Sequence, residues 1–539
     1  MSIPYFIGKE FLFFIKKNRN IYTIKKIIKL SKGCRQVYTR GMKIEKLYET
    51  AKDTAERIWE LSPEERIYEG GGWIPTTLTL KPEEKHQTFF GFGGALTESA
   101  GYVLSHLPEQ IRQQAIDAYY NPTTGNGYRF ARIHMNSCDF SLDNWACVPE
   151  KDETLKSFSM ERTDKYISPL AMDVQKTAEK EGSDVQFLMS PWSPPFWMKD
   201  NGDMNHGGHL LDCYRELWAQ YFVTFIKEMA ERDIKISFVT IQNEPAAVQT
   251  WDSCEYSAKQ EGEFAAQYLG PALEKAGLGD VKIYIWDHNR DLALERLEES
   301  LKVPAASEYV AGLAFHWYSG DQYDNIKEIS RRYPDIDLIF TEGCIEGGPR
   351  NGAWFTGERY AHNIINDLKN GCTKWIDWNI VLDMKGGPNH VGNYCDAPIL
   401  ADEAKGELHF QSSYYYIGHF SRFIKPGAVC LTSEFFSWMT PATVSGHLTD
   451  EAECLAFRNP DETIVLIVTN RTEAELVFEF KIEAAGGVQT ADLRDWEKAH
   501  TEANSSSKAA SDKASGENAP AAPLYLKCPP RAIQTWILK

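Results

Sequence analysis

Two glutamates of the chain, Glu244 and Glu342, each stand at the end of a short apolar run. The run ISFVTIQNEP (236–245) places Asn243 and Glu244 before a proline, and LIFTEG (338–343) places Glu342 before a glycine. Two carboxyl groups can cleave a glycosidic bond, one as the acid that protonates the leaving oxygen and the other as nucleophile or base. A retaining reaction requires them about 5–5.5 Å apart and an inverting one about 6.5–9.5 Å apart. The fold must therefore bring these two side chains together.

The elements that must position the glutamates form a regular alternation from about residue 86 onwards. Short β-rich runs end in polar or aromatic residues, and each is followed by a longer stretch of helical character, such as YRELWAQYFVTFIKEMAERD at 214–233. Eight strands that alternate with helices predict an α/β fold, a parallel (β/α)8 TIM barrel. The eight runs are TFFGFGGALTES (88–99), YRFARIHMNS (128–137), VQFLMSPW (185–192), ISFVTIQNEP (236–245), VKIYIWDHN (281–289), GLAFHWY (312–318), LIFTEG (338–343) and KWIDWNI (374–380).

The C-terminal ends of barrel strands surround a common mouth, where the active site of this fold lies. Glu244 ends the fourth run and Glu342 ends the seventh, on opposing parts of a closed ring of eight. We therefore predict that the two carboxyl groups face each other across the mouth. Asn243 beside them could hydrogen bond a sugar hydroxyl next to the reacting carbon.

The sequence after about residue 425 changes to alternating strands and turns, as in TIVLIVTNRT (463–472). This pattern predicts an antiparallel β-sandwich attached to the barrel, and the strand-like residues 70–88 can pair with it. A segment rich in Ala, Ser and Lys is predicted to be a disordered loop within the sandwich. The predicted regions are a basic N-terminal extension at 1–41, an N-terminal helix with strands that join the sandwich at 42–85, the catalytic barrel at 86–425, and the β-sandwich at 426–539 with its loop at 498–523.

Charge and cysteine content exclude several classes of function. The chain has 539 residues and a formal net charge of −18, which argues against nucleic acid and anionic membranes as general partners. It contains no run of about 18 apolar residues that would predict a membrane span. The 11 cysteines form no CxxC pair and no zinc spacing, so we expect free thiols in a reducing cytoplasm, with no metal and no other cofactor. The oligomeric state stays open.

The first 41 residues hold seven Lys and three Arg but one acidic residue, Glu10. Their best apolar run, FLFFI (11–15), is short and has no small-residue cleavage site, which argues against secretion and favours a cytoplasmic location. A nucleic-acid arm or an amphipathic membrane segment is an alternative. The most economical hypothesis is that translation begins at Met42 and that residues 1–41 are an artefact of start-site choice.

Seven motifs in order along the chain resemble those of glycoside hydrolase family 30. They are FGFGGALTES, RIHMNSCDFS, SPWSPPFWMK, TIQNEP, HWY, LIFTEG and WIDWNIVLDMKGGPNHVGN, and the resemblance covers roughly residues 70–539. This retaining clan-A family includes glucosylceramidase and bacterial and fungal β-1,6-glucanases. The resemblance implies a (β/α)8 barrel with a β-sandwich built from both chain ends, and a carbohydrate substrate.

The roles of individual residues are implied by the same resemblance. Glu244 would be the general acid/base and Glu342 the nucleophile. Independently of the resemblance, repulsion between the two carboxylates leads us to expect a raised pKa for the acid and activity that peaks at mildly acidic pH. The other implied site residues are Trp192 and Trp378 as walls of the glycone subsite, Asn243, His316, Tyr318 and Asn393 as hydrogen-bonding residues, Arg132 beneath the carboxylates, and Glu98, where glucosylceramidase has an aspartate, as a ligand of glycone hydroxyls. Asp287 and His288 are expected to shape the aglycone side.

The expected function is that of an intracellular retaining β-glycosidase acting on β-glucosides, β-1,6-linked gluco-oligosaccharides or glucosylceramide-like substrates. No long apolar lid is evident in the sequence, which argues against a sphingolipid. Alternatives are an exo-β-xylosidase or β-fucosidase, and a catalytically inactive carbohydrate-binding barrel, which would not need both glutamates. A metal hydrolase is disfavoured because His288 and His316 come without the ligand spacing of a metal site. The glycone sugar and the choice between endo and exo action stay open.

Overall fold

The computed structural model of the chain describes residues 37–39, 42–437, 451–484, 487–490 and 523–539. The loop predicted at 498–523 lies outside these ranges except for its last residue, and the extension predicted at 1–41 lies outside them except for residues 37–39. The described strands form a closed barrel, an 11-stranded sheet and a small sheet of three strands.

The segment 42–85 begins with a strand where the sequence predicted a helix, so that prediction is wrong. The N-terminal strands are β1 (Val37–Thr39), β2 (Met42–Ala51), β3 (Trp59–Leu61) and β4 (Thr76–Phe89), with a 3-10 turn at Pro63–Arg66. In β2, Leu47, Glu49 and Ala51 are buried at every second position, which is the period of a strand. Pairing with the last described strand, Ala532–Leu538, outweighs the helix propensity of residues such as Glu45 and Lys46.

Eight parallel strands close into a barrel, which confirms the predicted fold class. They are β5 (Gly91–Ala95), β6 (Phe130–Met135), β7 (Gln186–Pro191), β8 (Ile236–Thr240), β9 (Lys282–Asn289), β10 (Val310–His316), β11 (Asp337–Glu342) and β12 (Lys374–Asn379). Each strand hydrogen bonds to the next, and β12 pairs with β5 to complete the ring. Each of the eight predicted runs overlaps one of these strands.

Buried hydrophobic side chains from seven of the strands form a core cluster inside the barrel. They are Phe130, Leu188, Phe238, Tyr284, Ala314, Ile339 and Ile376. Gly93 of β5 packs against this layer, where an added Cβ would stand 2.3 Å from the carbonyl oxygen of Phe130. The glycine is therefore required for the close approach of β5 and β6.

Helices follow the strands and cover the outside of the barrel. They are α1 (Glu98–Ser105), α2 (Glu109–Tyr120), α3 (Glu161–Lys180), α4 (Arg215–Ala230), α5 (Ala258–Phe264), α6 (Gly270–Lys275), α7 (Ala293–Leu301), α8 (Ala306–Tyr309), α9 (Tyr323–Arg332), α10 (Phe355–Lys369) and α11 (Ser412–Ser421). In α4, Trp218, Phe222 and Phe225 are buried at helical spacing, as the apolar pattern of 214–233 predicted. Among the helices of the described residues, none is both long and apolar enough to cross a membrane.

The remaining strands form a small sheet and the second body of the fold. The small sheet consists of β13 (Val381–Asp383), β14 (Ile399–Asp402) and β15 (Glu407–Phe410). The C-terminal strands are β16 (Ala428–Ser437), β17 (Ala452–Arg458), β18 (Ile464–Asn470), β19 (Leu476–Ala484), β20 (Gly487–Thr490), β21 (Leu524–Cys528) and β22 (Ala532–Leu538). They pair with β2 and β4, so both ends of the described chain build this body. The predicted β-sandwich beside the barrel is confirmed.

The second body has its own apolar core, which contains side chains from both ends of the described chain. Leu47 of β2 and Trp536 of β22 share it with Leu80 of β4 and Phe478 of β19. Phe89 at the end of β4 extends the packing toward the barrel, since its ring lies 4.9 Å from that of Phe92 in β5 and 5.9 Å from that of Phe457 in β17. The second body therefore supports the first barrel strand directly.

Candidate active site

The two glutamates reach the barrel mouth from β8 and β11. Glu342 is the last residue of β11, whereas Glu244 lies beyond the end of β8 with a φ of 47°. A non-glycine residue in this left-handed region costs on the order of 1–3 kcal/mol. Backbone hydrogen bonds hold the turn, because the N–H of Glu244 donates to the Asp287 carbonyl at 3.0 Å and that of Asn243 to the Pro191 carbonyl at 2.8 Å. The turn thus carries Asn243 and Glu244 to one pocket.

The pocket at the mouth is a cavity of about 140 Å³. Its lining residues are Asp139, Phe140, Trp192, Asn243, Glu244, Gln249, Trp251, His288, Asn289, Tyr318, Glu342, Cys344, Glu346, Trp378 and Asn393. Trp192 and Trp378 form an aromatic wall, with ring centroids 5.4 Å apart and planes at 27°. Seven of the residues predicted for the site therefore line one pocket: Trp192, Asn243, Glu244, Tyr318, Glu342, Trp378 and Asn393.

Arg132 of β6 lies beneath the pocket, and its side chain has no exposed area. Its Nη1 donates to Glu342 Oε2 at 2.7 Å, and its Nη2 donates to Asn243 Oδ1 and to Asp287 Oδ2, each at 2.8 Å. The guanidinium carbon lies 4.7 Å from the ring centre of Trp192, in cation–π range. One buried cation thus holds residues of β9, β11 and the turn after β8, together with the aromatic wall, in fixed relative positions.

His316 and Tyr318 at the end of β10 each contact one of the two glutamates. His316 is buried behind Glu244, with Nδ1 3.3 Å from Glu244 Oε1 and Nε2 3.1 Å from Asp287 Oδ1. The hydroxyl of Tyr318 donates to Glu342 Oε1 at 3.0 Å. With the guanidinium on its other oxygen, the Glu342 carboxylate accepts hydrogen bonds at both oxygens, and its orientation is fixed.

The protonation of the two glutamates differs from the expectation. Burial raises the pKa of Glu244, but hydrogen bonds and positive charge from His288 and His316 outweigh burial and hold that pKa well below its usual range. Burial raises the pKa of Glu342, with the Glu244 charge adding to the rise and His316 and Arg132 opposing it. Burial lowers the pKa of His316, but the surrounding carboxylates, Glu342 first, raise it to about 9. The expected rise in the pKa of Glu244 is therefore wrong for this structure, because two histidines contact its carboxylate.

Glu98 does not lie in the pocket lining, which corrects its predicted place on the glycone hydroxyls. It is the first residue of α1 and its side chain is fully buried. Its Oε1 accepts from Arg162 Nη2 at 2.7 Å, and its Oε2 accepts from the indole N–H of Trp145 at 2.9 Å. Both oxygens are thus committed to structural partners behind the barrel mouth.

Asp139 lines the pocket instead, on the loop after β6. Its Oδ2 accepts from the side-chain amides of Asn389 and Asn393, each at 3.2 Å. Burial, followed by the charge of Glu342, raises the pKa of Asp139 to about 8. Asp139 was not predicted as a site residue although it belongs to the motif RIHMNSCDFS. A carboxylate just beyond the end of a barrel strand was the signal that could have indicated it.

The end of β9 supplies two residues that take different places. Asp287 is fully buried and accepts hydrogen bonds from Arg132 and from the hydroxyl of Thr341, the latter at 2.6 Å. It therefore lies under the glutamates, and the expectation that it shapes the aglycone side is wrong. His288 does line the pocket. Its ring nitrogen, together with Glu244 and His316, forms a group of possible metal ligands that the sequence spacing did not predict.

The arrangement as a whole can bind and cleave a glycoside. Aromatic rings stack on the apolar face of a sugar and exclude water from the reacting centre. The amides and carboxyl groups of the lining supply hydrogen bonds to hydroxyls, and two carboxyl groups in the same pocket supply the acid and the nucleophile or base. The sequence motifs and this geometry point to the same chemistry.

Comparisons with known proteins agree with it. Residues 89–424 match the glycosyl hydrolase family 30 TIM-barrel domain, and residues 442–536 match the glycosyl hydrolase family 30 beta sandwich domain. The chain is 32% identical over 432 residues to the lysosomal acid glucosylceramidase of Mus musculus, over 77% of this chain and 81% of that protein. It is 27% identical over 425 residues to the endo-1,6-beta-D-glucanase of Neurospora crassa, over 76% of this chain and 84% of that protein. The solved structure of SrfJ from Salmonella typhimurium matches with a TM-score of 0.76 and 31% identity, covering 91% of this chain and 98% of that one.

Proposed function

The chain belongs to glycosyl hydrolase family 30 and is a β-glycosidase, and we propose that it hydrolyses β-glucosidic bonds of gluco-oligosaccharides, including β-1,6 linkages. The reaction is a double displacement through a glycosyl-Glu342 intermediate, with Glu244 as acid and then base. The observation that carries these roles is the difference in how the two carboxylates are held.

Glu342 has the contacts of a nucleophile. Arg132 donates to one of its oxygens at 2.7 Å and Tyr318 to the other at 3.0 Å, and the cationic guanidinium favours the ionised form. Fixed orientation keeps an attacking oxygen near the anomeric carbon without further ordering. After attack, the glycosyl ester forms at Glu342 and the leaving oxygen takes a proton.

Glu244 has the contacts of a group that exchanges a proton. Its Oε1 lies 3.3 Å from Nδ1 of His316, and the pKa of His316 of about 9 keeps that ring cationic at neutral pH. The proton needed by the leaving oxygen is thus available within the Glu244–His316 pair, whichever of the two carries it. In the second step, Glu244 is ionised because its pKa is lowered, so its carboxylate can accept a proton from the attacking water.

The glycone end of the pocket supports binding of a single sugar ring. Trp192 and Trp378 provide the stacking wall, and Asn243 and Asn393 provide amides at the lining. Asp139, whose pKa is raised to about 8, is protonated at neutral pH and can donate as well as accept a hydrogen bond. These groups suit a sugar with several free hydroxyls.

The outer rim of the pocket supports a sugar rather than a lipid as the leaving group. Gln249, Trp251 and Glu346 all line the pocket, and we take them as its rim because Glu346 is exposed and the other two are half-buried. Alkyl chains laid against Glu346 would desolvate a charged group without a compensating partner. A hydroxylated aglycone can hydrogen bond the same carboxylate and amide and stack on Trp251. We therefore favour an oligosaccharide over a ceramide aglycone.

The roles are tested with a 2-deoxy-2-fluoro-β-glucosyl fluoride. The fluorine slows breakdown of the intermediate, so one sugar per chain should accumulate on Glu342, detected by intact mass and peptide mapping. E342Q should form no adduct, and E98Q, altered outside the pocket, should form it normally. An adduct on any other residue would overturn the assignment. Labelling only by the fuco or xylo analogue would favour a β-fucosidase or β-xylosidase, and no labelling by any of the three would favour an inactive binding barrel.

The aglycone is tested by comparing kcat/KM for β-1,6-linked glucose oligomers with that for a detergent-dispersed glucosylceramide. We expect the oligomers to be preferred by at least ~10-fold, since the charged rim opposes the lipid. E346L should reduce the preference for the oligomers over glucosylceramide, because it removes the carboxylate and adds apolar surface. A preference for the lipid in the unaltered protein would refute the oligosaccharide proposal while leaving the two glutamates in their roles.

A further inference from the structure

Three side chains beside the acid/base position converge on one point. Oε1 of Glu244 lies 3.5 Å from Nδ1 of His288 and 3.3 Å from Nδ1 of His316, and the ligand atoms of the three residues all lie within 4.8 Å of one another. They come from the turn after β8 and from the ends of β9 and β10. We propose that Glu244, His288 and His316 bind a divalent cation of the zinc type, and that the bound ion blocks the acid/base group.

The spacing of these atoms suits a zinc ion. Zinc binds imidazole nitrogen and carboxylate oxygen at about 2.0–2.2 Å, so neighbouring ligands of a tetrahedral site lie about 3.3–3.5 Å apart. The two distances from Glu244 already have that length. Small rotations of the imidazoles would bring the two ring nitrogens closer to each other. Two histidines and a glutamate with one open position form a ligand set that zinc accepts.

The histidines have the surroundings that metal ligands usually have. Nε2 of His316 lies 3.1 Å from Oδ1 of Asp287, and a carboxylate on the far nitrogen of a ligating histidine fixes the ring and turns its other nitrogen toward the ion. Nδ1 of His288 is buried, and its nearest polar contact is the long one of 3.5 Å to Oε1 of Glu244, so this nitrogen can turn to an ion that Glu244 shares. The His288 ring is held 4.9 Å from that of Trp286.

An ion has access to this position and would exclude catalysis there. Glu244 and His288 line the pocket, so the ion can enter by the route of the substrate. An oxygen of Glu244 that ligates the ion can no longer carry or accept a proton, and binding displaces the proton of His316, since imidazole ligates in its neutral form. The inhibitory consequence, though not the binding itself, rests on the proposed role of Glu244.

Binding is tested on the full chain after removal of trace metals with a chelator. Zn²⁺ is added and followed by isothermal titration calorimetry, and Co²⁺ is added separately and followed by its visible absorption. We expect one tight Zn²⁺ per chain and a Co²⁺ spectrum of nitrogen and oxygen ligands. Thiolate charge-transfer bands would place the ion on cysteines such as Cys344 and overturn the assignment. The Co²⁺ measurement requires no variant, so it decides the ligand type even if a variant fails to fold.

A matched pair of variants locates the ion. H288N removes one proposed ligand and should weaken Zn²⁺ binding by at least ~100-fold, since even the outer partners of metal ligands are worth about 10–100-fold. H206Q alters an exposed histidine that pairs with Asp203 and should bind Zn²⁺ as the unaltered protein does. Equal affinities for H288N and H206Q, or a loss confined to H206Q, would overturn the proposal.

Activity provides an independent readout. β-Glucosidase activity should fall in proportion to the occupied fraction and return fully on addition of EDTA. Tight binding at this site without inhibition would overturn the blocking role. If the chain binds Zn²⁺ at this site but Glu342 is never labelled by the fluoro-sugar, the proposed function is refuted and the ion site stands. If Glu342 is labelled normally but Zn²⁺ does not bind, the ion site is refuted and the proposed function stands.

Discussion

Nη1 of Arg132 donates to Oε2 of Glu342 at 2.7 Å, and neither partner of this ion pair has a side chain more than 9% exposed. The other terminal nitrogen of the same guanidinium donates hydrogen bonds to Asn243 and Asp287. The position of the nucleophile is therefore set by the same cation that sets the amide beside Glu244. Any change at Arg132 disturbs both halves of the site together.

Replacing Arg132 by Lys should damage catalysis and folding at once. A lysine ammonium cannot reproduce the planar fork that reaches Glu342, Asn243 and Asp287 simultaneously. We expect R132K to lower kcat/KM for an aryl β-glucoside by about 10²–10³-fold and to reduce the free energy of unfolding by about 3–5 kcal/mol, the usual cost of a broken buried ion pair. R112K, in a half-exposed pair with Asp173, is the control and should change neither. An R132K variant with normal kinetics would contradict the role of the guanidinium.

Removing the hydroxyl of Tyr318 should slow formation of the intermediate. Y318F keeps the ring but leaves Oε1 of Glu342 without its 3.0 Å hydrogen bond. A hydrogen bond to a charged group is worth about 1.5–3 kcal/mol, so kcat/KM should fall by about 10–100-fold, with KM nearly unchanged, in steady-state kinetics. Y214F, which removes a hydroxyl that contacts the exposed Glu153, should leave the rate unaltered. A fall of the same size in both variants would indicate a structural effect.

Substitutions at Glu98 and Asp139 should have different effects: a change at Glu98 should lower stability, and a change at Asp139 should weaken substrate binding. E98Q weakens the buried contacts with Arg162 and Trp145 and should lower the free energy of unfolding by about 1–3 kcal/mol while KM and kcat stay unchanged. D139A removes a carboxyl group from the pocket lining and should lower kcat/KM by up to about 10²-fold, chiefly through a raised KM, because hydrogen bonds to the sugar are lost. Thermal unfolding and steady-state kinetics on both variants check this. A raised KM in E98Q would restore the role first predicted for that residue.

Asp377 should make stability fall as the pH rises. Burial raises its pKa from the ordinary 3.8 to about 8, so between these values the folded chain keeps a proton that the unfolded chain has released. Stability from this group is therefore fully present below about pH 4 and is lost by about pH 8, a change on the order of a few kcal/mol. D377N removes the titration, so the Tm difference between D377N and the unaltered protein should become steadily more positive from pH 5 to pH 8. A difference that is constant with pH would show that Asp377 is ionised throughout.

The barrel and its two glutamates were predictable because both depend on short-range patterns. A β-rich run, a polar end and a helical stretch recur eight times, and the rule that strand ends meet at one mouth places Glu244 and Glu342 without further information. Trp192 and Trp378 follow from the resemblance, and the structure brings them into one stacked pair.

The features that sequence could not predict depend on contacts between distant segments. The helix expected after Met42 is a strand because β22 pairs with it, and β22 lies nearly 500 residues away in the sequence. The low pKa of Glu244 arises because β9 and β10 bring His288 and His316 to its carboxylate. Glu98 is held behind the mouth by Arg162 of α3, a partner that no local motif indicates.

The place of β22 in the sheet has a consequence for the order of assembly. Residues 532–538 are the last of the described strands to be synthesised, yet they lie between β2 and β18 and hydrogen bond to both. All eight barrel strands are complete by Asn379, so the barrel can form while the ribosome is still adding the rest. The second body cannot close until β22 has been synthesised, and until then β2 and β18 present unpaired edges. A nascent chain of this protein is thus most exposed to aggregation in the interval between completion of the barrel strands and synthesis of β22.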